Sequence, residues 1–464
     1  MTTSASPPSQ RRMKRVLGVP SLVLFALAYM VPLGVFTTYG VGTELTKGHL
    51  PLAYIVIMTA LLFTAYSYGR MAKLIPFAGS AYSYARGAFG ERVGFVSGWT
   101  ILADYMLLPL VNYLVIGLYL GELLPGVPVW VWIAGAIVST TVLNVIGIKL
   151  VTSVNLALCT AQALFILVFI VLSTRLLSGE DVPSLMAPFY SETLPFDGLL
   201  DGAAILCFTF LGFDAISALS EDSKNPRRTV PRAILISVVI AGIVATTAVY
   251  FSQLAYPDWT NFTNVDTAAT DVFRTVGGDV FNTIFIAAYV AGCVGSAMSS
   301  QASGARILFA MGRDGVLSKR FFGTLHPRFR TPVPAIIILG AISSVALVVD
   351  LTTVVSVLSF GALFAYVMVN LAVIKTYLID TRTKDRMSVL KYGIVPGVGA
   401  AIVFWLWTSL SATAFIVGAA WAAIGIGYLL YMTRLFTRSV PKIDLSEFDE
   451  APHETPPAQP SGQR

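Results

Sequence analysis

Carboxylates are the side chains of this sequence best placed to do chemistry, because three of them lie where water is scarce. Asp104 stands about a dozen residues into the apolar run 93–123, beside Tyr105. Asp214 follows Phe210-Leu211-Gly212-Phe213 in the run 198–219, whose only charges are Asp201 and Asp214. Glu221 lies two helical turns further, at i+7 from Asp214 and on the same helical face. An ionised carboxylate near mid-membrane depth costs at least a few kcal/mol, so a cation, a donor or water has to meet it. Asp104 and Asp214 could each accept one ammonium group of a diamine. The faces of Tyr29, Tyr105 or Phe213 would cover its methylenes and add cation–π attraction. Asp104, Asp214 and Glu221 can also carry a proton, which makes them the candidates for coupling transport to an ion gradient. Simpler roles exist for each: a polar brace between helices for Asp104 or Asp214, and a surface pair with Arg227 or Arg228 for Glu221.

The elements that hold these acids have to cross a bilayer. Hydrophobic residues make up 56% and charged residues 12%, against about 25% charged in a soluble domain, and the mean hydropathy is +0.75. Apolar runs predict twelve membrane-spanning helices, at 17–41, 52–74, 93–123, 129–146, 153–176, 198–219, 233–256, 280–309, 333–349, 352–377, 392–410 and 412–436. The fold class is therefore an all-α membrane protein, with a spanning domain over 17–436. Residues 1–16 form a polar, basic amino-terminal segment and 437–464 a Pro- and Glu-rich tail, both expected to be disordered. All but Lys47, Arg175 and Arg274 of the 31 lysines and arginines fall in the termini and alternate loops or the span ends that flank them. This bias predicts that both termini are cytoplasmic, in the plasma membrane. The outer connections carry acids, among them Glu180, Asp181, Glu192, Asp197, Asp258, Asp266, Asp271 and Asp279, read chiefly as solvated loop residues.

Two of the spans are interrupted. The first contains Pro32 and Gly34, and the sixth contains Gly212 just before Asp214. Proline removes an amide donor and glycine loosens the helix, so backbone groups are freed at mid-depth, as at a transport site. The stretch from Asn225-Pro226 to Pro231-Arg232 is expected to stop the sixth span. Cys159, Cys207 and Cys293 lie inside apolar runs without metal-ligand spacing, and His49, His326 and His453 make no metal pattern. There is no Gly-rich phosphate loop, and the positive charges lie in short loops rather than a nucleic-acid groove. No enzyme activity, metal, cofactor or nucleic-acid partner is expected. A channel or receptor is the rival from another class, although no rings of pore-lining residues repeat along the chain.

The residues also carry a family resemblance. Pro76-Phe77-Ala78-Gly79-Ser80-Ala81-Tyr82-Ser83-Tyr84 resembles a signature of the amino acid–polyamine–organocation transporters. So does Phe210-Leu211-Gly212-Phe213-Asp214, followed by Glu221 and Asn225-Pro226. Within that family, Ala28-Tyr29-Met30-Val31-Pro32, the Trp99 to Pro109 stretch and Met311-Gly312-Arg313-Asp314 look most like bacterial putrescine importers. The resemblance implies a leucine-transporter-like fold, with spans 1–5 and 6–10 as inverted repeats, discontinuous helices 1 and 6, and spans 11 and 12 peripheral. It implies a secondary transporter, set in lipid, importing putrescine or a similar cationic amine; with no phosphate loop to bind ATP, a proton carried on Asp104, Asp214 or Glu221 is the expected coupling ion. A carrier of cationic or neutral amino acids is the alternative. Two departures from the family pattern bear on this. The first-helix break reads Pro32-Leu33-Gly34-Val35, without the Gly-Ser-Gly-like amides that grip a substrate carboxylate. Gln162 stands where some proton-coupled relatives have a lysine, so no lysine can serve there.

Overall fold

The computed structural model describes residues 17–76, 80–146, 151–179, 184–191, 196–220, 223–313, 317–329, 331–381 and 385–434. These residues are mainly helical, with no strand among them and one isolated parallel bridge between Leu17 and Ser223. In order the helices are α1 (Val19–Met30), α2 (Tyr39–Leu45), α3 (Leu50–Leu74), α4 (Ser80–Phe89), α5 (Glu91–Leu123) and α6 (Val129–Ile146). Then come α7 (Val151–Leu177), α8 (Phe196–Leu206), α9 (Ala215–Ala218), α10 (Pro226–Ala255), α11 (Ala269–Arg313) and α12 (Lys319–Phe322). The last are α13 (Val333–Ser343), α14 (Leu351–Ile374), α15 (Arg386–Val389), α16 (Val395–Thr408) and α17 (Ala412–Met432).

Among the described residues, eleven stretches are long and apolar enough to cross a membrane, counting the interrupted Val19–Phe36 and Phe196–Ser217 as one each. A shorter apolar helix, Val333–Leu347, lies where the ninth span is expected. The protein is thus a multi-pass, all-helical membrane protein. Burial separates its middle from its rim: 94% of the window in Phe196–Ser217 is buried and 83% of that in α5, against 22% for both α6 and α17. α3 packs along α10, and α5 along α11. The rim helix α17 is tied to α5 by a reciprocal pair, in which Trp99 Nε1 donates to the Trp421 carbonyl (3.0 Å) and Trp421 Nε1 to the Trp99 carbonyl (2.9 Å).

Several boundaries differ from the sequence expectation: α11 begins at Ala269 rather than near 280, α4 forms a helix of its own, and α10 begins at Pro226 rather than near 233. Asn225-Pro226 does not merely end the sixth span; Asn225 is the N-cap position of α10 and Pro226 its first residue, where a missing amide costs nothing. Pro231 lies inside the same helix, and Gly69 of α3 approaches it so closely that a Cβ there would sit 3.1 Å from Pro231 Cβ. Further on, α11 is kinked at Gly278 (φ 70°, ψ −172°).

Candidate functional site

The first break falls where proline and glycine place it. α1 ends at Met30, Val31 takes φ 55° and ψ 104°, and Pro32–Phe36 continues as a 3-10 turn before α2. Several of the freed groups are met by named neighbours. The Leu33 amide donates to Gln162 Oε1 on α7 (3.1 Å), and the Gly34 amide to the Val31 carbonyl (2.6 Å). The Tyr119 hydroxyl donates to the Phe36 carbonyl (3.2 Å). Asn112 Nδ2 on α5 bonds Ser296 Oγ on α11 (3.2 Å), which donates in turn to the Tyr29 carbonyl (3.0 Å). Thr37 and Tyr289 share a hydroxyl–hydroxyl bond. Gln162, read from sequence only as a side chain that cannot titrate, is therefore a neutral acceptor for the first-helix break.

The second break follows α8. Cys207–Phe210 tightens into a 3-10 turn, Leu211 is extended, and Gly212 adopts φ +125°, a conformation that favours glycine. Space makes the same demand, since a Cβ on Gly212 would lie 2.6 Å from Tyr29 Cδ1. The ring of one broken helix thus rests on the bare backbone of the other. Tyr54 of α3 joins them further along, its hydroxyl bonded to Thr209 Oγ1 (3.1 Å) and 3.5 Å from the Val35 carbonyl.

Both central acids are buried beside these breaks. Asp214 Oδ1 accepts from the Gly212 amide (3.3 Å), so part of its capacity is spent on its own turn. Asp104 Oδ1 is buried with no hydrogen-bond partner. Among the described residues neither acid has an ion-pair partner. The two lie close enough for their charges to interact, with Tyr29, Tyr105 and Tyr366 in the same field. The Tyr29 hydroxyl is likewise buried without a partner. Phe213 is fully buried in a ring cluster, 5.6 Å from Tyr68 and 5.1 Å from Tyr366 between centroids. Glu221 lies outside the described residues.

A small cavity, with room for little more than about one water, opens between the breaks. Its walls include Val31 and Gly34 of the first break, Leu211 of the second, Asn112 of α5, and Tyr289 and Ser296 of α11. Of the five described side chains expected from sequence at a binding site, only Tyr29 lines it. Tyr29 links the cavity to the acids, because it also lies within the field of both. Sequence reading missed Tyr54, Tyr119, Asn112 and Ser296, which look like ordinary span residues until their partners are seen.

Two of the outer acids brace their own loops. Asp258 accepts from the Thr260 hydroxyl and the Asn261 side-chain amide (2.6 Å each), which hold its carboxyl below the ordinary value. Asp271 accepts from the Thr263 amide and hydroxyl (2.8 and 3.0 Å). Among the described residues no three His, Cys, Asp or Glu side chains gather to hold a metal ion.

Comparison with known proteins gives a consistent result. A model of the amino acid permease family matches residues 21–438. The chain is 36% identical over 449 residues to the low-affinity putrescine importer PlaP of Escherichia coli, covering 96% of this chain and 99% of that one. It is 27% identical over 431 residues to the branched-chain amino acid permease BcaP of Bacillus subtilis, covering 88% and 90%. To the methylthioribose transporter of Bacillus subtilis it is 25% identical over 456 residues, covering 93% and 96%.

Proposed function

This chain belongs to the amino acid permease family of membrane transporters, and on that premise we propose that it is a secondary active importer of putrescine or a similar diamine. The observation that carries the reading is the 36% identity, over nearly the full length of both chains, to a low-affinity putrescine importer. The state of the breaks supports it. Pro32 has no amide, and those of Leu33, Gly34 and Gly212 are engaged by Gln162, Val31 and Asp214. A substrate carboxylate finds few donors there, whereas an ammonium finds the unpartnered oxygen of Asp104.

In this mechanism Asp104 takes one ammonium and Asp214 the other, with Tyr29 and Tyr105 against the methylenes and Phe213 backing the turn. The cavity beside Tyr29 has to widen to admit a diamine. We read twelve crossings, with Val333–Leu347 as the ninth, built as a five-plus-five inverted repeat with both termini, 1–16 and 437–464, in the cytoplasm. The breaks in the first and sixth spans fit that symmetry. Coupling to a proton on Asp104, Asp214 or Glu221 completes the cycle.

The identity to BcaP favours a second reading, a neutral amino acid permease. Uptake of labelled putrescine into cells or proteoliposomes, with and without a protonophore, decides between them. The expected result is putrescine accumulation that the protonophore collapses and that sodium does not affect. Leucine uptake that excess putrescine leaves untouched would refute diamine import. Exchange of labelled against unlabelled substrate would separate a carrier from a channel.

A further inference from the structure

At the carboxyl end of α3, four helices bring a patch of positive charge to one rim of the molecule. Gly69 of α3 rests against Pro231 of α10, and this close approach draws the carboxyl end of α3 beside the amino end of α10. Arg70 and Lys73 of α3 therefore stand near Arg232 of α10, close enough that Lys73 feels both other charges. Lys73 and Arg232 are exposed. None of the three pairs with an acidic side chain among the described residues. Asp380, on a neighbouring turn, is already held by Lys375 at 2.8 Å.

Aromatic rings fix the central cation. The Arg70 guanidinium lies 4.8 Å from the Tyr66 ring centroid and 5.2 Å from that of Tyr392. Tyr392 stacks on Tyr377 (4.4 Å, 8°), whose hydroxyl donates to the Arg70 carbonyl (3.2 Å). Tyr377 and Tyr392 come from two π-helical turns, Lys375–Asp380 and Leu390–Ile394, a rare geometry often found at functional sites. Ring faces satisfy the plane of the guanidinium but not its N–H edge, and among the described residues no acceptor meets that edge. Leu74, Leu390 and Ile394 expose apolar surface on the same helix ends.

An oriented guanidinium edge, two further cations, tyrosines at the membrane boundary and adjoining apolar surface match one kind of ligand. We propose that this rim binds the phosphate headgroup of an anionic phospholipid, with its acyl chains along the exposed apolar residues. The site is independent of the transported substrate.

The test uses the purified full chain in detergent, titrated with cardiolipin, with phosphatidylcholine or with inorganic phosphate, while intrinsic tryptophan fluorescence reports the melting temperature. Cardiolipin should raise it saturably, and the other two should not. The Lys73→Gln/Arg232→Gln variant keeps the Arg70 stack. It should bind cardiolipin about fivefold more weakly for each charge removed, roughly thirtyfold in all. Arg320→Gln, which removes an exposed cation elsewhere on α12, should leave the titration unchanged. The proposal is overturned if cardiolipin gives no shift, if the double variant titrates as the parent does, or if Arg320→Gln weakens binding equally. A shift of the same size with inorganic phosphate would overturn the lipid as its source.

Discussion

Ornithine differs from putrescine by one carboxylate, and the structure says what that group would meet. Beside the first break, Pro32 offers no amide, Leu33 N is held by Gln162 at 3.1 Å, and Gly34 N by the Val31 carbonyl at 2.6 Å. At the second break, Gly212 N is held by Asp214 at 3.3 Å. A bound carboxylate would have to take donors from these partners or go without. Each hydrogen bond to a charged group left unmade costs roughly 1.5–3 kcal/mol, so two missing donors cost about 3 kcal/mol at the low end. At about 1.4 kcal/mol for each factor of ten, ornithine should bind about a hundredfold more weakly than putrescine. Repulsion from Asp104 and Asp214 acts in the same direction, at about 2.8 kcal/mol for a unit pair ~6 Å apart in an effective dielectric of about 20. Unlabelled ornithine competing against labelled putrescine in vesicles measures the ratio directly. Equal half-inhibition concentrations would refute the reasoning, because the site would then hold a carboxylate, and the amino acid carrier would become the better reading.

Other substitutions separate binding from architecture. Asp104→Asn should weaken putrescine at least about tenfold by removing a charge-assisted contact, without lowering the melting temperature, since the lost charge is buried without a partner; unchanged affinity would count against it as a ligand. Gly212→Ala should abolish uptake in protein that still reaches the membrane, because φ +125° and the 2.6 Å approach of Tyr29 both exclude a Cβ; normal uptake would show that the break relaxes freely. Gln162→Leu should destabilise the protein by roughly 1–3 kcal/mol in thermal melts, by stranding the Leu33 amide, while Gln162→Glu keeps an acceptor and loses less. Equal melts for those two variants would remove Gln162 from the support of the break.

The sequence showed the positions of the breaks but not what satisfies them. Pro32, Gly34 and Gly212 are visible inside apolar runs because each violates the local preference of a helix, and Asp104 and Asp214 are visible because charge is expensive there. The partners are invisible for the opposite reason. Tyr54 and Tyr119 read as ordinary span residues, yet the largest fully buried side chains include Tyr39, Tyr54, Tyr68, Tyr84, Tyr113, Tyr119, Tyr289 and Tyr366. A buried phenol can bridge helices distant in sequence, and no local pattern records its partner. Phe213 shows the same limit from the other side. Its place beside Asp214 suggested contact with a ligand, but the turn at Gly212 directs it into the rings of Tyr68 and Tyr366. Asn225-Pro226 was misjudged because proline both ends one helix and suits the first turn of the next.

The contact of Tyr29 with Gly212 makes two positions, far apart in the chain, behave as one unit of inheritance. A side chain at 212 can be accommodated only if the residue at 29 gives up its ring, and the backbone at 212 must also leave φ +125°. A side chain at 212 alone meets the ring, whereas a smaller residue at 29 alone meets nothing, so a lineage can gain a side chain at 212 only once the ring at 29 is gone. Across related transporters a large ring at the first position should therefore always accompany glycine at the second.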